Sequence, residues 1–282
     1  MSTPTLAPAP SPASTGAEPR ASFGDLLAAE WIKLWSLRSI PWVLLLSASV
    51  IVIVAARGAS YTYDHFDPSP AAHYYQTALT DSFNTIGADV VMLVAGGLGA
   101  FVVVNEYASG LIRTSLAAVP DRRALLLAKA LVLTAVVLGW GAAVAGTSFG
   151  IAQAILSGRG IGLSITDPGA FRFVAGAALF APVCALVGLC LGVLIRHTAA
   201  SIVSTILVLF FVPAFFTDTY RWSADISHAL PFTAWRRLSV VDLRDQFVSP
   251  YPATVTSAWI AFAVWSLASV AIAALAIQRR DH

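Results

Sequence analysis

Six long apolar segments are the feature that most constrains how this chain folds. A helix of roughly 20 apolar residues crosses the hydrocarbon core of a bilayer. Of the 282 residues, 57% are apolar and only 11% are charged, too few charges to cover a water-soluble protein of this size. The sequence therefore predicts an all-α integral membrane protein with six transmembrane helices. The predicted spans cover approximately residues 40–56, 86–104, 125–155, 173–195, 199–216 and 257–277.

The distribution of Lys and Arg predicts the orientation, because both are enriched in cytosolic loops. With an even number of spans, the two termini lie on the same side of the membrane. The tails and short loops of that side carry ten Lys and Arg, against three in the short loops opposite. We therefore expect both termini to be cytosolic. The ten are Arg20, Lys33, Arg38, Arg113, Arg122, Arg123, Lys129, Arg196, Arg279 and Arg280, and the three are Arg57, Arg159 and Arg172.

An amphipathic helix is predicted over residues 22–38, after a Pro-, Ala- and Ser-rich tail (residues 1–21) that has the composition of a disordered cytosolic segment. Ser22 and Asp25 resemble a capping box, which marks a helix start. The apolar arc of this helix contains Phe23, Leu26, Leu27, Trp31, Leu34 and Trp35. Two Trp residues on such an arc suit the headgroup depth, so the helix is expected to lie at the membrane interface.

Glu30 does not fit that pattern, because it projects from the middle of the apolar arc. Lys33, three residues later, is placed to compensate part of its charge. Two interpretations remain open at this stage. Glu30 reaches back to water, or it makes a polar contact with the 105–129 segment or with a partner protein.

The segment 105–129 connects the second and third spans and is dense in charge and turn residues. It predicts a short helix over about 107–118, a break at Pro120 and then the charged start of the next span. A loop that only connected two spans would not need this pattern, so we expect a surface that contacts another protein in the cytoplasm. Its charged residues are Glu106, Arg113, Asp121, Arg122, Arg123 and Lys129.

Small residues and prolines predict how the spans pack. Gly146–Gly150 and Gly188–Gly192 have GxxxG spacing, which lets helices approach closely within a chain or between two copies. Pro182 and Pro213 lie inside spans four and five and are expected to kink or locally unwind them.

The sequence gives little support for a phosphate-binding loop, a serine-hydrolase nucleophile or a metal site. The only lysines, Lys33 and Lys129, do not follow a Gly, so the chain has no phosphate-binding loop of the GxxxxGK[ST] type. The G-x-S-x-G match at 146–150 lies inside an apolar helix rather than at a strand-to-helix elbow. A first outer loop is expected near residues 57–75, and its aromatic and polar residues suit an interface belt better than a metal site.

The outer segment 218–256 is expected to form a pair of short helices in or near the outer leaflet.

Three stretches of this chain resemble the permease subunits of ABC-2-type transporters, actinobacterial ones in particular. They read AEWIKLWSLRS before span one, NEYASGLIRTSLAAVPDRRALLLAK after span two, and LGVLIRHTAASIVSTILVLFFVP across spans four and five. The resemblance covers about residues 22–280 as one transmembrane domain. The second stretch is the most specific, and Asn105 stands there where Gly is more usual. Its matching residues are Glu106, Tyr107, Gly110, Ile112, Arg113, Thr114, Pro120, Arg122, Arg123 and Lys129.

The resemblance implies a function and partners. It implies a coupling helix at about 107–118 that contacts a separate P-loop ATPase subunit, with Glu30, Lys33 and Arg38 beside it. It further implies a second permease subunit, identical or different, and export of a drug, lipid or peptide across a prokaryotic plasma membrane. ATP and Mg²⁺ would bind the partner, so this chain would bind no cofactor or metal and would not itself be an enzyme.

Two alternatives stay open at this point. A secondary carrier would work without an ATPase, but it needs polar residues near the midplane, and the spans supply almost none. A membrane partner or assembly factor of an ATPase, without transport of its own, is poorly separated from a permease by sequence.

Overall fold

The computed structural model describes residues 22–66, 71–110, 121–217, 219–241 and 251–279. The secondary structure in these ranges is helical, and no β-strand occurs among them. The helices are α1 (Phe23–Ser36), α2 (Ser39–Asp64), α3 (Ala71–Ser82), α4 (Thr85–Ala108), α5 (Arg122–Ser157), α6 (Ala170–Ile195), α7 (Thr198–Ile206), a π-helical segment (Leu207–Phe211), α8 (Val212–Phe215), α9 (Arg221–Ala229), α10 (Pro231–Ser239) and α11 (Val255–Arg279).

Six helical runs in the described part of the chain are long and apolar enough to cross a membrane. The six predicted spans are therefore confirmed, and the protein is a multi-pass membrane protein. The second run joins α3 and α4 around a break at Phe83 and Asn84. The runs are Ser39–Asp64, Tyr74–Ala108, Arg122–Ser157, Ala170–Ile195, Thr198–Phe215 and Val255–Gln278.

Helix α6 forms the centre of the bundle. In the most apolar 18-residue stretch of α6, 78% of the residues are buried, whereas the corresponding stretches of α2, the α7–α8 run and α11 are 28% buried or less. It packs most extensively on α4 and α5. The peripheral helices keep large apolar side chains exposed, such as Trp42 and Leu46 on α2 and Leu267 on α11. In a membrane protein such faces contact lipid or another subunit.

Glycines allow α4 and α6 to approach at backbone distance. A Cβ built on Gly188 would lie well under 3.0 Å from the Gly96 carbonyl oxygen, and one built on Gly99 would lie equally close to Ala185. Gly192 faces Ala100 in the same way. The Gly188–Gly192 pair therefore packs helices within the chain, as its spacing predicts.

The other GxxxG pair differs. Gly146 and Gly150 have no atoms of other helices within 4 Å of a built Cβ, so they do not pack helices within the described part of this chain. Packing against a second copy stays a prediction for them.

The predicted end of the first span near residue 56 is wrong. Helix α2 continues to Asp64, and α3 follows shortly afterwards. The last turns of α2 are held because Gly58 lets Asp81 of α3 come close, and Thr62 donates a 2.7 Å hydrogen bond to its carboxylate. Tyr61 and Tyr63 therefore lie on a helix rather than in a loop.

The two prolines behave differently. Helix α6 is uninterrupted through Pro182, whereas the fifth span contains the π-helical segment immediately before α8. Pro213 has no N–H, so the usual α-helical bond to Leu209 cannot form there. Instead, the N–H of Val212 donates to the carbonyl of Leu207, which is the wider backbone hydrogen bond of a π-helix. Local unwinding is thus confirmed for span five.

The 218–256 segment forms two short helices in its described part, α9 and α10, as predicted. Side chains from two other helices hold the end of α10: Arg172 donates to the Leu238 and Val240 carbonyls, and Gln76 bonds to Ser239 and Val241. We call this end of the bundle the hairpin end. We call the opposite end, which carries α1 and the boundaries of the 109–121 connection, the charged end.

Candidate functional site

A cluster of two glutamates and two lysines lies at the charged end. Lys129 of α5 donates to Glu30 of α1 and, at 2.8 Å, to Glu106 of α4. Lys33 of α1 donates to Glu30 at 2.8 Å and to Glu106 at 3.2 Å. We call these four residues the ion cluster. It links α1 to α4 and α5, which follow one another in the chain.

The sequence around Glu30 explains why a charged residue is buried here. Ser22 and Asp25 form the predicted capping box and start α1. Leu26 and Leu34 lie one turn before and one turn after Glu30 on the same face, and all three are buried where α1 packs on α5.

The residues predicted to form one apolar arc of α1 in fact lie on two different faces of the helix. Leu26 and Leu34 point into the bundle, whereas Phe23, Trp31 and Trp35 remain exposed. Trp31 and Trp35 are ring neighbours, with centroids 5.8 Å apart. The exposed aromatic face agrees with a helix at the membrane interface, and the buried face belongs to the protein core.

The cluster is buried and balanced in charge. Glu30 is 2% exposed, and Glu106 and Lys129 are each 5% exposed, so Glu30 does not reach back to water. Its contact with Lys129 agrees with the alternative of a contact with the 105–129 segment. Two carboxylates and two ammonium groups sum to zero, which lowers the cost of removing each charge from water.

Lys33 is the most accessible member, with a side chain 36% exposed. Burial by itself would lower the pKa of Lys33, but the hydrogen bond and charge of Glu30, together with the charge of Glu106, outweigh that effect and raise it. Lys33 therefore stays positively charged at physiological pH, as the balance of the cluster requires.

The remaining predicted site residues lie around the same end but outside the cluster. Arg123 donates to Gln278 at 2.6 Å and so ties the start of α5 to the end of α11. Arg122 is half-buried beside it, and Arg38 is exposed at the start of α2. Gly110 follows α4 with a φ of +73°.

The predicted coupling helix at 107–118 is described only in its first residues. Tyr107 and Ala108 belong to the last turn of α4 rather than to a separate helix. The rest of that prediction, with Arg113 and Pro120, lies outside the described residues.

One further contact at this end was missed from sequence. The guanidinium of Arg196, at the end of α6, lies over the Tyr107 ring at 5.0 Å from its centroid. From the sequence, Arg196 was predicted only to be a cytosolic positive charge. Nothing in the spacing of the two residues, 89 positions apart, indicates the contact.

A comparison with protein families finds a match over most of the chain. A family model described as ABC-2 family transporter protein matches residues 26–213, two thirds of the 282-residue chain. The matched region begins within α1 and ends within α8, so it includes the whole ion cluster and Arg196. No curated protein matches the chain.

Proposed function

This chain belongs to the ABC-2 family of transporter proteins, and on that basis we propose that it couples ATP hydrolysis by its ATPase subunit to export of an amphipathic substrate. In this proposal both termini and the charged end are cytosolic, in a prokaryotic plasma membrane. ATP and Mg²⁺ bind the partner subunit, and two permease subunits pair to form the pathway. The membership itself implies a permease subunit that works with an ABC ATPase.

The ion cluster is the observation that carries this proposal. Glu106 precedes the 109–121 connection by one turn of α4, and Lys129 lies two turns into α5. Both are tied to Glu30 or Lys33 of α1. A force applied to the connection by an ATPase would therefore move α1, α4 and α5 together. Such a rigid coupling is what converts closure of one subunit into movement of the spans.

The close packing of α4 on α6 extends the path. Because backbone atoms of the two helices are in contact at Gly96, Gly99 and Gly188, α4 cannot slide or tilt without displacing α6. Helix α6 is the most buried span, so a displacement at the charged end would reach the centre of the bundle.

The first experiment is co-purification of the tagged protein from its native membrane in mild detergent, followed by mass spectrometry and an ATPase assay. We expect a stoichiometric P-loop ATPase whose activity depends on the permease. A purified chain with no ATPase would overturn the proposal and favour an ATPase-independent carrier. An ATPase whose rate ignores the permease would favour an assembly partner.

Gly110 provides a test of coupling with a matched control. Gly110→Val forces a β-branched residue into a φ of +73°, at a cost of about 1–2 kcal/mol or a rearrangement of the connection. We expect the permease-dependent ATPase rate to fall about tenfold. Gly160, at the hairpin end, has the same φ of +73°, and neither glycine has an atom of the described residues within 4 Å of a built Cβ.

Gly160→Val should therefore destabilise the fold to a similar degree while leaving the ATPase rate near that of the wild type. Thermal unfolding of each variant in detergent measures the first effect, and ATP hydrolysis by the reconstituted complex measures the second. Equal loss of ATPase rate in both variants would show that backbone strain, and not the position of Gly110, is responsible.

A further inference from the structure

One carboxylate oxygen of the ion cluster has no hydrogen-bond donor in the described part of the chain. Both oxygens of Glu30 and Oε1 of Glu106 accept from Lys33 or Lys129. The fourth oxygen, Oε2 of Glu106, is buried and has no hydrogen-bond partner among the residues that the structure describes. Buried acceptors are nearly always satisfied in native proteins, and leaving one unpaired is unfavourable. Since the cluster is already neutral, what Oε2 lacks is a donor rather than a compensating charge.

Arg196, at the end of α6, is a cation that contacts α4 at the residue next to Glu106 in the sequence. It stacks on Tyr107, the residue that follows Glu106 in α4. Its backbone is unusual: with a φ of 58°, it is the one non-glycine residue at positive φ among the residues the structure describes. Such a conformation is unfavourable for a side chain as large as arginine. Its N–H bonds back to Gly192, which fixes the turn at the end of α6.

We propose that Arg196 is a positioning residue with two alternative partners, the Tyr107 ring in the conformation seen here and Oε2 of Glu106 in a second one. This proposal rests on the proposed function, since movement of the ATPase would drive the exchange. Arginine suits both partners, because its planar guanidinium stacks on aromatic rings and donates to carboxylates. The exchange would make the turn between α6 and α7 move together with α4. Movement of the 109–121 connection would then also displace spans four and five.

The position of Tyr107 gives the exchange a direction. The ring holds the guanidinium one residue away from Glu106 along the same helix. Removing the ring favours the second conformation, whereas removing the guanidinium abolishes it. The two changes should therefore have opposite effects on the rate of ATP hydrolysis.

The first test measures permease-dependent ATP hydrolysis by the complex for Arg196→Gln, Glu106→Gln and the double variant. A hydrogen bond to a charged group predicts about a tenfold loss in each single variant. If the two groups act as a pair, the double variant should lose no more than either single variant. If its loss equals the product of the single losses, the two residues act independently and the proposal is overturned.

The second test does not depend on the stability of the ion cluster. Tyr107→Leu should raise the resting ATPase rate about two- to fivefold, because it removes the cation–π contact. Adding Arg196→Gln to this variant should cancel the increase. An increase that persists without Arg196, or no increase at all, would contradict the exchange. A role of Tyr107 in folding alone would lower the rate and not raise it.

A matched control lies at the other end of the bundle. Arg159 stacks over the Tyr63 ring at 4.6 Å and donates to the Tyr63 carbonyl. Arg159→Gln should leave the ATPase rate unchanged.

The wild-type complex separates failure of the proposed function from failure of the Arg196 exchange. ATP hydrolysis that does not depend on the permease overturns the proposed function, whereas permease-dependent hydrolysis with independent Arg196 and Glu106 overturns only the exchange.

Discussion

Gly188→Ala is expected to lower the thermal unfolding midpoint by about 5–10 °C. The added Cβ would meet the carbonyl of Gly96 on the facing helix, at a distance that real Cβ atoms essentially never show. Because the obstacle is backbone and not the end of a flexible side chain, α4 and α6 must separate. That separation loosens the best-buried interface of the bundle, at a cost of about 3 kcal/mol.

The chain supplies both the assay and the control for this prediction. Cys184 and Cys190 are free and buried in α6, so a thiol-reactive fluorophore in detergent reports the unfolding of this helix. Gly150→Ala belongs to the other GxxxG pair and has no neighbour within 4 Å of the built Cβ. It should leave the midpoint unchanged or raise it by a few degrees, since alanine favours helix by up to about 1 kcal/mol. Equal destabilisation by both substitutions would contradict the assignment of Gly188 to the α4–α6 contact.

The comparison of these two motifs shows why packing was only partly predictable. Spacing identifies residues small enough for close approach but not the helix that approaches. Gly188 and Gly146 are equivalent in the sequence, and they differ because α6 is central while Gly146 of α5 faces outward. The number of spans was predictable, because hydrophobic length alone determines it.

The ends of the helices were predicted less well. The Ser22–Asp25 capping box is a local signal and was confirmed. The end of α2 was not, because the turns beyond Ala56 are held by Asp81, a residue distant in sequence. A contact of that kind has no local signature.

The ion cluster was predictable only in part. Glu30 was noticeable because a charge in an apolar arc needs a partner, and Lys33 at i+3 was identified as one. Beyond Lys33, the sequence left open water, the 105–129 segment or a partner protein, and it did not identify Lys129, because that depends on how α1 packs on α5. Arg196 had no local signal, since its partner is an aromatic ring on another helix.

Lys129→Met is expected to destabilise the protein by about 3–5 kcal/mol, which lowers the unfolding midpoint by about 10 °C or more. The substitution keeps the length of the side chain but leaves Glu30 and Glu106 buried with Lys33 as their shared cation. An uncompensated carboxylate in a buried site is more costly than the pair is stabilising. Lys33→Met should cost less, because the Lys33 side chain is 36% exposed and water can replace part of its interactions.

The double variant Glu106→Met/Lys129→Met separates stability from coupling. It removes one charge of each sign, so Glu30 and Lys33 remain as a neutral pair, and we expect most of the lost stability to return. The tie of α4 to α1 and α5 through Glu106 remains broken. Permease-dependent ATP hydrolysis should therefore stay low in a protein that melts close to the wild type. If hydrolysis recovers together with the unfolding midpoint, the cluster only supports the fold. If stability recovers without hydrolysis, the cluster transmits movement from the 109–121 connection to the membrane-spanning helices.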